Sequence, residues 1–200
     1  ALAAAAAGRW DRSSRLRLRL RSGVLSSRSE PTVLNGANAM AIGNPATGKW
    51  EVLQFAKAEL VAHRTYEVSM LLRGQLGTDG VMPASWPEGS VVVLLDRSLL
   101  QVQMPSSARG LTRNYRVAPA NVSFADAEAQ HFELAFDGNG LRPYAPVHLR
   151  AAPSGGGVQV TWIRRTRIDG DSWASTEVPL GEEVESYLVK VRQGQKVLQN

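Results

Sequence analysis

The chain has 200 residues, of which 44% are hydrophobic and 20% charged, so it is long and apolar enough for one large or two small domains with a buried core. The absence of cysteine excludes disulfide bonds, thiolate metal sites and a cysteine nucleophile, and fits assembly in a reducing cytoplasm. A membrane-spanning helix would need a run of about 18 apolar residues, and the sequence has none.

The net charge of +5 is concentrated in residues 1–30, which form a basic N-terminal segment. Arginines alternate there with leucines in the order Arg15, Leu16, Arg17, Leu18, Arg19, Leu20, Arg21. This period of two predicts a β-strand with leucines inward and arginines outward. We interpret the arginine face as a solvated strand face or a protein interface, with anionic-polymer binding as the alternative. Specific nucleic-acid recognition is not expected, because the arginines are neither on a helix that fits a groove nor beside stacking aromatic groups.

Residues 31–142 are predicted to form a β-rich domain, because period-two patterns alternate there with turn signals. Strands are predicted at residues 50–55, 65–72, 91–95 and 128–136. In the second of these, Tyr66, Val68, Met70 and Leu72 are expected on one face. The continuous apolar run at 91–95 predicts a central strand covered on both faces. Helix is expected only in the alanine-rich start and at residues 125–130.

Residues 146–200 are predicted to form part of an immunoglobulin-like β-sandwich, joined to the preceding domain by a stiff linker at residues 141–146. Val158, Val160 and Trp162 would share one strand face, and Tyr187, Val189 and Val191 would share another. Such a sandwich needs about seven strands in roughly 100 residues. We therefore expect this module to be a piece of a longer polypeptide or to be completed by a neighbour.

No set of residues for catalysis stands out, so the chain is predicted not to be an enzyme and to bind no cofactor or metal. The three histidines are scattered, and there is no phosphate loop, nucleophile elbow or dinucleotide fingerprint. The Asp169-Gly170-Asp171 stretch is interpreted as a hairpin turn rather than a calcium site, since calcium takes six to eight oxygen ligands. The glutamates of the 182–185 loop are expected to form surface ion pairs with Arg164, Arg165 and Arg167.

Several stretches resemble one family. Residues 34–38 (Leu-Asn-Gly-Ala-Asn), 50–55 (Trp-Glu-Val-Leu-Gln-Phe) and 71–78 (Leu-Leu-Arg-Gly-Gln-Leu-Gly-Thr) resemble tail-tip proteins of long-tailed phages. The blocks at 137–151 and 162–173 are similar to the large "megatron" tail-tip protein of alphaproteobacterial gene transfer agents. The resemblance runs from about residue 9 to the end, and its most specific part is Trp-Ile-Arg-Arg-Thr-Arg at 162–167. Family members are normally much longer, with a glycosidase-like barrel upstream that this sequence does not include.

The resemblance implies a mainly β protein, with a β-rich tail-tip domain followed by a partial fibronectin type III-like module. In that module Trp162 is expected to pack near Tyr187. The Arg73-Gly74-x-x-Gly77-Thr78 stretch follows a strand directly, so its glycines are expected to form a sharp exit turn. Arg73 is expected to anchor a carboxylate or carbonyl groups, and a purely structural turn is favoured over a ligand site.

The resemblance further implies a structural component of a phage-like tail tip or baseplate, a hub or fibre protein that closes the tail tube and contacts the recipient envelope for DNA delivery. The expected partners are other tail-tip, baseplate and tail-tube proteins, further copies in a homotrimer, and a cell-surface polysaccharide or receptor. The location would be the tail tip of a virion-like particle assembled in the bacterial cytoplasm. The alternatives are a carbohydrate-binding or adhesin-type module with exposed Trp86, Trp173 and Tyr144 stacking on sugars, and an accessory domain of the glycosidase-like barrel.

Overall fold

The computed structural model describes residues 1–172, 174–194 and 196–199 and confirms a mainly β protein. The chain forms two compact units, Ala1–Leu141 and Arg142–Asn200. The basic N-terminal segment is therefore part of the same unit as the β-rich region that follows it. No helix in the described part of the chain is long and apolar enough to cross a membrane.

The first unit contains nine strands, one α-helix and three 3₁₀ turns. The strands are β1 (Leu2–Ala3), β2 (Trp10–Arg19), β3 (Ala39–Asn44), β4 (Lys49–Ala62), β5 (Thr65–Gln75), β6 (Ser85–Trp86), β7 (Val91–Leu94), β8 (Thr112–Val117) and β9 (Gln130–Ala135). The helix α1 covers Glu30–Leu34, and the 3₁₀ turns cover Thr78–Val81, Ser106–Ala108 and Asn139–Leu141.

An open antiparallel sheet with the strand order β2-β5-β4-β3-β7 dominates this unit. One face carries the main core, whose buried members are Leu2, Leu18, Met40, Ile42, Leu53, Phe55, Tyr66, Val68, Leu71 and Trp86. The other face is covered at one end by α1, whose Val33 packs on Ala56 and Leu72. Two separate two-stranded sheets complete the unit, β1 with β6 and β8 with β9.

The prediction that residues 91–95 form a central strand is wrong. Within the part of the chain that the structure describes, strand β7 pairs with β3 alone and lies at one edge of the sheet, where Val91 is 42% exposed. A short apolar run is equally compatible with an edge strand whose inner face packs on the core and whose outer face stays accessible. Val92 and Leu94 do pack on the main core.

The predicted alternation in β5 fails at Met70, which has a φ of 56°. This irregularity shifts the inward positions by one residue, so that Leu71 joins Tyr66 and Val68 in the main core. Met70 and Leu72 instead pack against the cluster on the opposite face. A left-handed φ is rare for a side chain that is not glycine, so no local sequence rule predicts it.

Both helix predictions are wrong. In the alanine-rich start, Leu2–Ala3 form β1, which pairs with β6 and buries Leu2. Residues 125–129 form turns and bends, and Gln130 begins β9. The helix that does form, α1, has Ser29 as its N-cap and Pro31 in its first turn. Both are ordinary helix-start signals. Buried Gln54 of β4 anchors the C-terminal end of α1. Its Nε2 donates to the carbonyl oxygens of Val33 and Ala37, at 2.6 and 2.8 Å.

The described residues of the second unit form two separate two-stranded antiparallel sheets. Strands β10 (Val147–Ser154) and β11 (Gly157–Ile163) form one, and β12 (Val191–Gln193) and β13 (Lys196–Gln199) form the other. The expected strand at 187–191 is wrong over most of its length, because only Val191 lies in a strand. Residues 187–190 are irregular, and their apolar side chains are largely exposed.

Candidate interaction surface

The arginine and leucine side chains of β2 lie on opposite faces, as the alternation predicts. Leu18 is buried, and Leu16 and Leu20 are half-buried against the main core. All four predicted arginines are exposed: Arg15, Arg17, Arg19 and Arg21. The strand predicted at residues 15–21 is confirmed for residues 15–19, which belong to β2, whereas Leu20 and Arg21 lie just beyond its end. The strand therefore has a row of guanidinium groups on one face. The row of leucine side chains on the other face, Leu16, Leu18 and Leu20, is called the apolar floor below.

Strand β2 is an edge strand, and β5 is its one pairing partner among the described residues. Arg17 lies opposite Glu67 of β5, and its Nη2 donates to Glu67 Oε2 at 3.3 Å. Arg15 Nη1 donates to the backbone carbonyl oxygens of Arg12 and Ser14. Both contacts lie at the solvent surface, so most of the positive charge in the row remains available to another molecule.

A groove of about 1390 Å³ separates the outer edges of β2 and β7. Its walls are the arginine-leucine stretch of residues 15–21 on one side and residues 86–94 on the other. Ile42 also contributes to the lining, and the β7 side carries two acidic residues, Glu88 and Asp96. Two opposite edges of one sheet border the same groove, so the sheet is strongly curled. Irregular pairing contributes to this curl, because between the pairs Asp11–Leu71 and Arg15–Ser69 β2 advances twice as many residues as β5.

A fully buried ion pair joins two neighbouring strands of this sheet: Arg73 of β5 contacts Glu51 of β4. Arg73 Nε and Nη2 donate to the two carboxylate oxygens of Glu51 at 2.7 and 2.9 Å. Both side chains have zero exposure. Arg73 Nη1 also donates to the carbonyl oxygen of Ala3 at 2.8 Å, which attaches β1 to the sheet. The expectation that Arg73 anchors a carboxylate or carbonyl groups is confirmed.

Glu51 accepts two further hydrogen bonds, from the Gly74 backbone N–H at 3.1 Å and from Trp86 Nε1 at 2.6 Å. A buried carboxylate with four donors is well compensated for the loss of hydration. Because Trp86 belongs to β6 and also lines the groove, the ion pair positions part of the groove wall. The role of this cluster is structural.

The exit turn forms at Leu76 and Gly77, whereas Arg73 and Gly74, expected to follow the strand, still lie within β5. Gly74 and Gly77 have φ values of 60° and 77°, in the left-handed region that favours glycine. Thr78 closes the turn: its Oγ1 donates to the Gln75 carbonyl at 2.6 Å and accepts from the Val52 N–H at 2.9 Å. The motif is thus a structural turn that fastens β5 to β4.

Asp11 is the third charged member of the cluster. Its Oδ1 accepts from the Ser13 N–H, the Ser13 hydroxyl and the Ser14 N–H at 3.1, 2.9 and 3.0 Å. Its Oδ2 is buried without a hydrogen-bond partner and lies 3.8 Å from Arg73 Nη1. Burial alone would raise the pKa of this carboxyl, but the hydrogen bonds from Ser14 and Ser13 outweigh it and lower the pKa below its usual 3.8.

This depressed pKa predicts a contribution to stability that depends on pH. A carboxyl with a lowered folded-state pKa stabilises the protein fully above its unfolded pKa and loses that contribution as the pH falls through the folded value. For Asp11 the loss therefore lies below about pH 3.8. We expect the Asp11→Asn variant to lose less unfolding free energy than the wild type when urea titrations at about pH 6.5 and about pH 3 are compared. An identical loss in both proteins would contradict this.

In the second unit Trp162 and Tyr187 are in contact, as the resemblance implies. Their ring centroids are 4.9 Å apart in an edge-to-face arrangement. Trp162 is half-buried rather than fully buried, and Tyr187 is 40% exposed. The pair is therefore more accessible than the centre of a closed sandwich.

Because Trp162 is only half-buried, we expect its removal to lower the free energy of unfolding by less than the removal of a fully buried ring would. Deleting a fully buried aromatic side chain costs about 3–5 kcal/mol, whereas we expect Trp162→Ala to cost about 1–3 kcal/mol because part of the ring is already hydrated. Urea unfolding followed by far-UV circular dichroism measures this value, with Tyr187→Ala as the partner variant. A loss under about 0.5 kcal/mol, typical of a surface site, would show that the contact does not organise this unit.

The expected ion pairs of the second unit form at two of the three arginines. Arg167 makes a bidentate contact with Glu182 at 2.9 and 3.0 Å, and this hydrogen-bonded partner lowers the pKa of the Glu182 carboxyl. Arg164 Nη1 donates to Glu185 at 2.9 Å. Arg165 instead donates to the Ala145 carbonyl oxygen and lies 5.0 Å from the centre of the Tyr144 ring.

Two of the three aromatic residues proposed for sugar stacking do not present a free face. Trp86 is 4% exposed and donates to Glu51, so the expectation of an exposed ring is wrong. Tyr144 is half-buried and stacked with Arg165. Trp173 lies outside the described residues. Within the described part of the chain, no group of three or more histidine, aspartate or glutamate side chains is placed to hold a metal ion.

Glu51 and Asp11 were not predicted from the sequence, although a signal for Glu51 was present. Glu51 alternates along β4 with Leu53 and Phe55, so the three side chains point to the same face of the strand. That inward face therefore carries a carboxylate among apolar side chains. A charge at such a position indicates a buried partner, and Arg73 is that partner. Asp11 has no comparable signal, because the irregular stretch that follows it interrupts the alternation.

The fold and its surface define a mainly β protein with a curled sheet and accessible strand edges. Residues 1–93, just under half of the chain, match the family described as "Rcc01698-like, C-terminal". That name derives from a gene related to the gene transfer agent of Rhodobacter capsulatus, which fits the resemblance to gene transfer agent proteins at that level. No curated protein matches the chain.

Proposed function

We propose that this chain is a structural component of a phage-like tail tip or baseplate of a gene transfer agent. In this role it helps to close the tail tube and contacts the envelope of the recipient cell during DNA delivery. Its partners are other tail-tip, baseplate and tail-tube proteins, with a homotrimer as the assembly state, and a surface polysaccharide or receptor is its target on the cell.

The observation that carries this proposal is where the family match falls. Residues 1–93 include strands β1 to β6 and nearly all of β7, and so almost the whole curled sheet. They also contain every member of the buried Arg73–Glu51 cluster and most of the groove lining. The part of the chain that supports the relation to gene transfer agent proteins is therefore the part that builds the candidate interaction surface.

Exposed apolar residues on the β8–β9 hairpin also favour a role in an assembly. Val117, Phe132 and Leu134 are 59%, 43% and 57% exposed. A two-stranded hairpin with little buried apolar surface is marginally stable alone and is typically stabilised by packing against something else. The carbohydrate-binding alternative is weakened, because Trp86 is buried and Tyr144 is stacked with Arg165.

Particle composition tests the proposal. Tagged protein is produced in cells that release transfer particles, the particles are purified on a density gradient, and quantitative mass spectrometry measures the copies per particle. We expect a few copies in each particle, in a number divisible by three, and loss of DNA transfer when the gene is deleted. Absence of the protein from purified particles, or normal transfer without it, would contradict the proposal.

A further inference from the structure

The two free edges of the curled sheet have the same strand direction. Each successive neighbour in the order β2-β5-β4-β3-β7 is antiparallel to the one before it. There are four such steps, so β2 and β7 run the same way along the sheet. A single extra strand in the groove between them can therefore pair antiparallel with both, which is the more favourable pairing and extends the existing pattern.

The backbone of both edges is open to such pairing. Strand β2 pairs with β5 and β7 with β3, and no described residue forms a ladder on the other side of either strand. An unpaired edge presents N–H and C=O groups at the spacing that another extended chain requires. The groove of about 1390 Å³ lies between the two edges.

The side chains along the groove specify the character of the inserted strand. On the inner face, Leu16, Leu18 and Leu20 of the β2 side lie across from Val92 and Leu94 of β7, and all of them pack on the main core. A strand in the groove would direct every second side chain toward this apolar floor. Apolar residues are therefore required at those alternate positions.

On the outer face, the remaining positions of the inserted strand would lie beside Arg15, Arg17 and Arg19. Opposite charges on neighbouring strands stabilise a sheet and like charges destabilise it. Aspartate or glutamate at these positions would complement the arginine row. The Arg17–Glu67 pair of β2 and β5 already shows this type of cross-strand contact on the other side of β2.

We propose that the groove between β2 and β7 binds an extended segment of a partner protein in which acidic and apolar residues alternate, and that this segment enters as a sixth strand of the sheet. This inference rests on the proposed function in that it gives the tail-tip component a protein partner at this surface. A nucleic acid or an anionic polysaccharide could pair its charges with the arginine row. It would not contact the apolar floor with apolar side chains or form strand hydrogen bonds with the backbone edges.

The test uses the full chain and a fluorescein-labelled peptide with the alternation Val-Glu-Val-Asp-Val-Glu-Val. Fluorescence anisotropy is expected to show saturable binding that weakens with salt. A peptide with lysine at the acidic positions, and one methylated on alternate backbone amides, are expected not to bind. Amide hydrogen exchange is expected to slow in both β2 and β7 when the acidic peptide is present, because one strand pairs with both edges.

The charge-reversal variant Arg15→Glu/Arg19→Glu is expected to weaken peptide binding about tenfold or more. The matched control is Arg113→Glu/Arg116→Glu, a double charge reversal at two exposed positions of β8, which is expected to bind as the wild type does. Circular dichroism establishes that both variants are folded before binding is compared.

Protection of only one edge, or equal binding of the lysine peptide, would overturn the proposal. So would stronger binding of single-stranded DNA or heparin than of the acidic peptide, or a self-associated form in which a second copy already protects both edges. These outcomes are independent of particle composition. Failure of the peptide to bind, with the protein present in particles, contradicts the groove alone, whereas peptide binding by a protein absent from particles contradicts the tail-tip assignment alone.

Discussion

Glu51→Ala is expected to lower the free energy of unfolding of the first unit by about 3–5 kcal/mol, the usual effect of removing one partner from a buried ion pair. The substitution leaves the Arg73 guanidinium with zero exposure and without its bidentate carboxylate. It also removes the acceptor for Trp86 Nε1 and the Gly74 N–H. Several buried donors are left unsatisfied at once, which makes this the largest effect we expect from a single substitution.

Glu67→Ala is the matched control, because it also removes the glutamate of a pair between an arginine and a glutamate. The Arg17 and Glu67 side chains are 68% and 31% exposed, so we expect a loss below about 1 kcal/mol, as for surface pairs generally. Urea titrations of both variants, followed by tryptophan fluorescence and circular dichroism, make the comparison. Similar losses for the two variants would show that the buried pair does not hold the sheet together.

Gly74→Ala is expected to cost about 2–5 kcal/mol, from the strain of a left-handed φ and from overpacking. The φ of Gly74 is 60°, and a Cβ atom there would lie 2.7 Å from Asp79 Cβ and 2.8 Å from Asp79 Cα. Asp79 belongs to the 3₁₀ turn that follows, so relief would require movement of the backbone. We expect the loss to appear as a lower urea midpoint with a similar slope.

Gly48→Ala separates the two contributions. Gly48 has nearly the same φ, 63°, but a Cβ atom there would have no neighbour within 4 Å. The expected cost is about 1–2 kcal/mol, from the backbone conformation alone. Equal losses at Gly48 and Gly74 would show that crowding by Asp79 is not a constraint on the exit turn.

Features with a local physical cause were predicted well. The alternation of Arg15 to Arg21 places leucine and arginine on opposite faces in any extended strand that has one buried face. The glycines at 74 and 77 indicate positive φ values, and both have them. Arg73 was expected to anchor a carboxylate or carbonyl groups, and it donates to the Glu51 carboxylate and to the Ala3 carbonyl oxygen.

Features that depend on distant parts of the chain were not predicted. The alanine-rich start favours a helix by intrinsic propensity, yet Leu2 enters the main core and β1 pairs with β6, more than 80 residues away. An isolated helix of that length would be marginal, so tertiary burial outweighs the local preference. The positive φ of Met70 likewise has no sequence signal and allows Leu71 to reach the core.

For the candidate surface, the sequence by itself determined the composition: an N-terminal strand with a charged face and an apolar face and, farther along the chain, a glycine turn beside an arginine expected to anchor a carboxylate or carbonyl groups. Only the tertiary structure decided that β2 and β7 are the two edges of one curled sheet and that a groove lies between them. The reason is that alternation reports which way a side chain points relative to its own strand. Strand order, and therefore the identity of the free edges, depends on pairing between segments far apart in the chain.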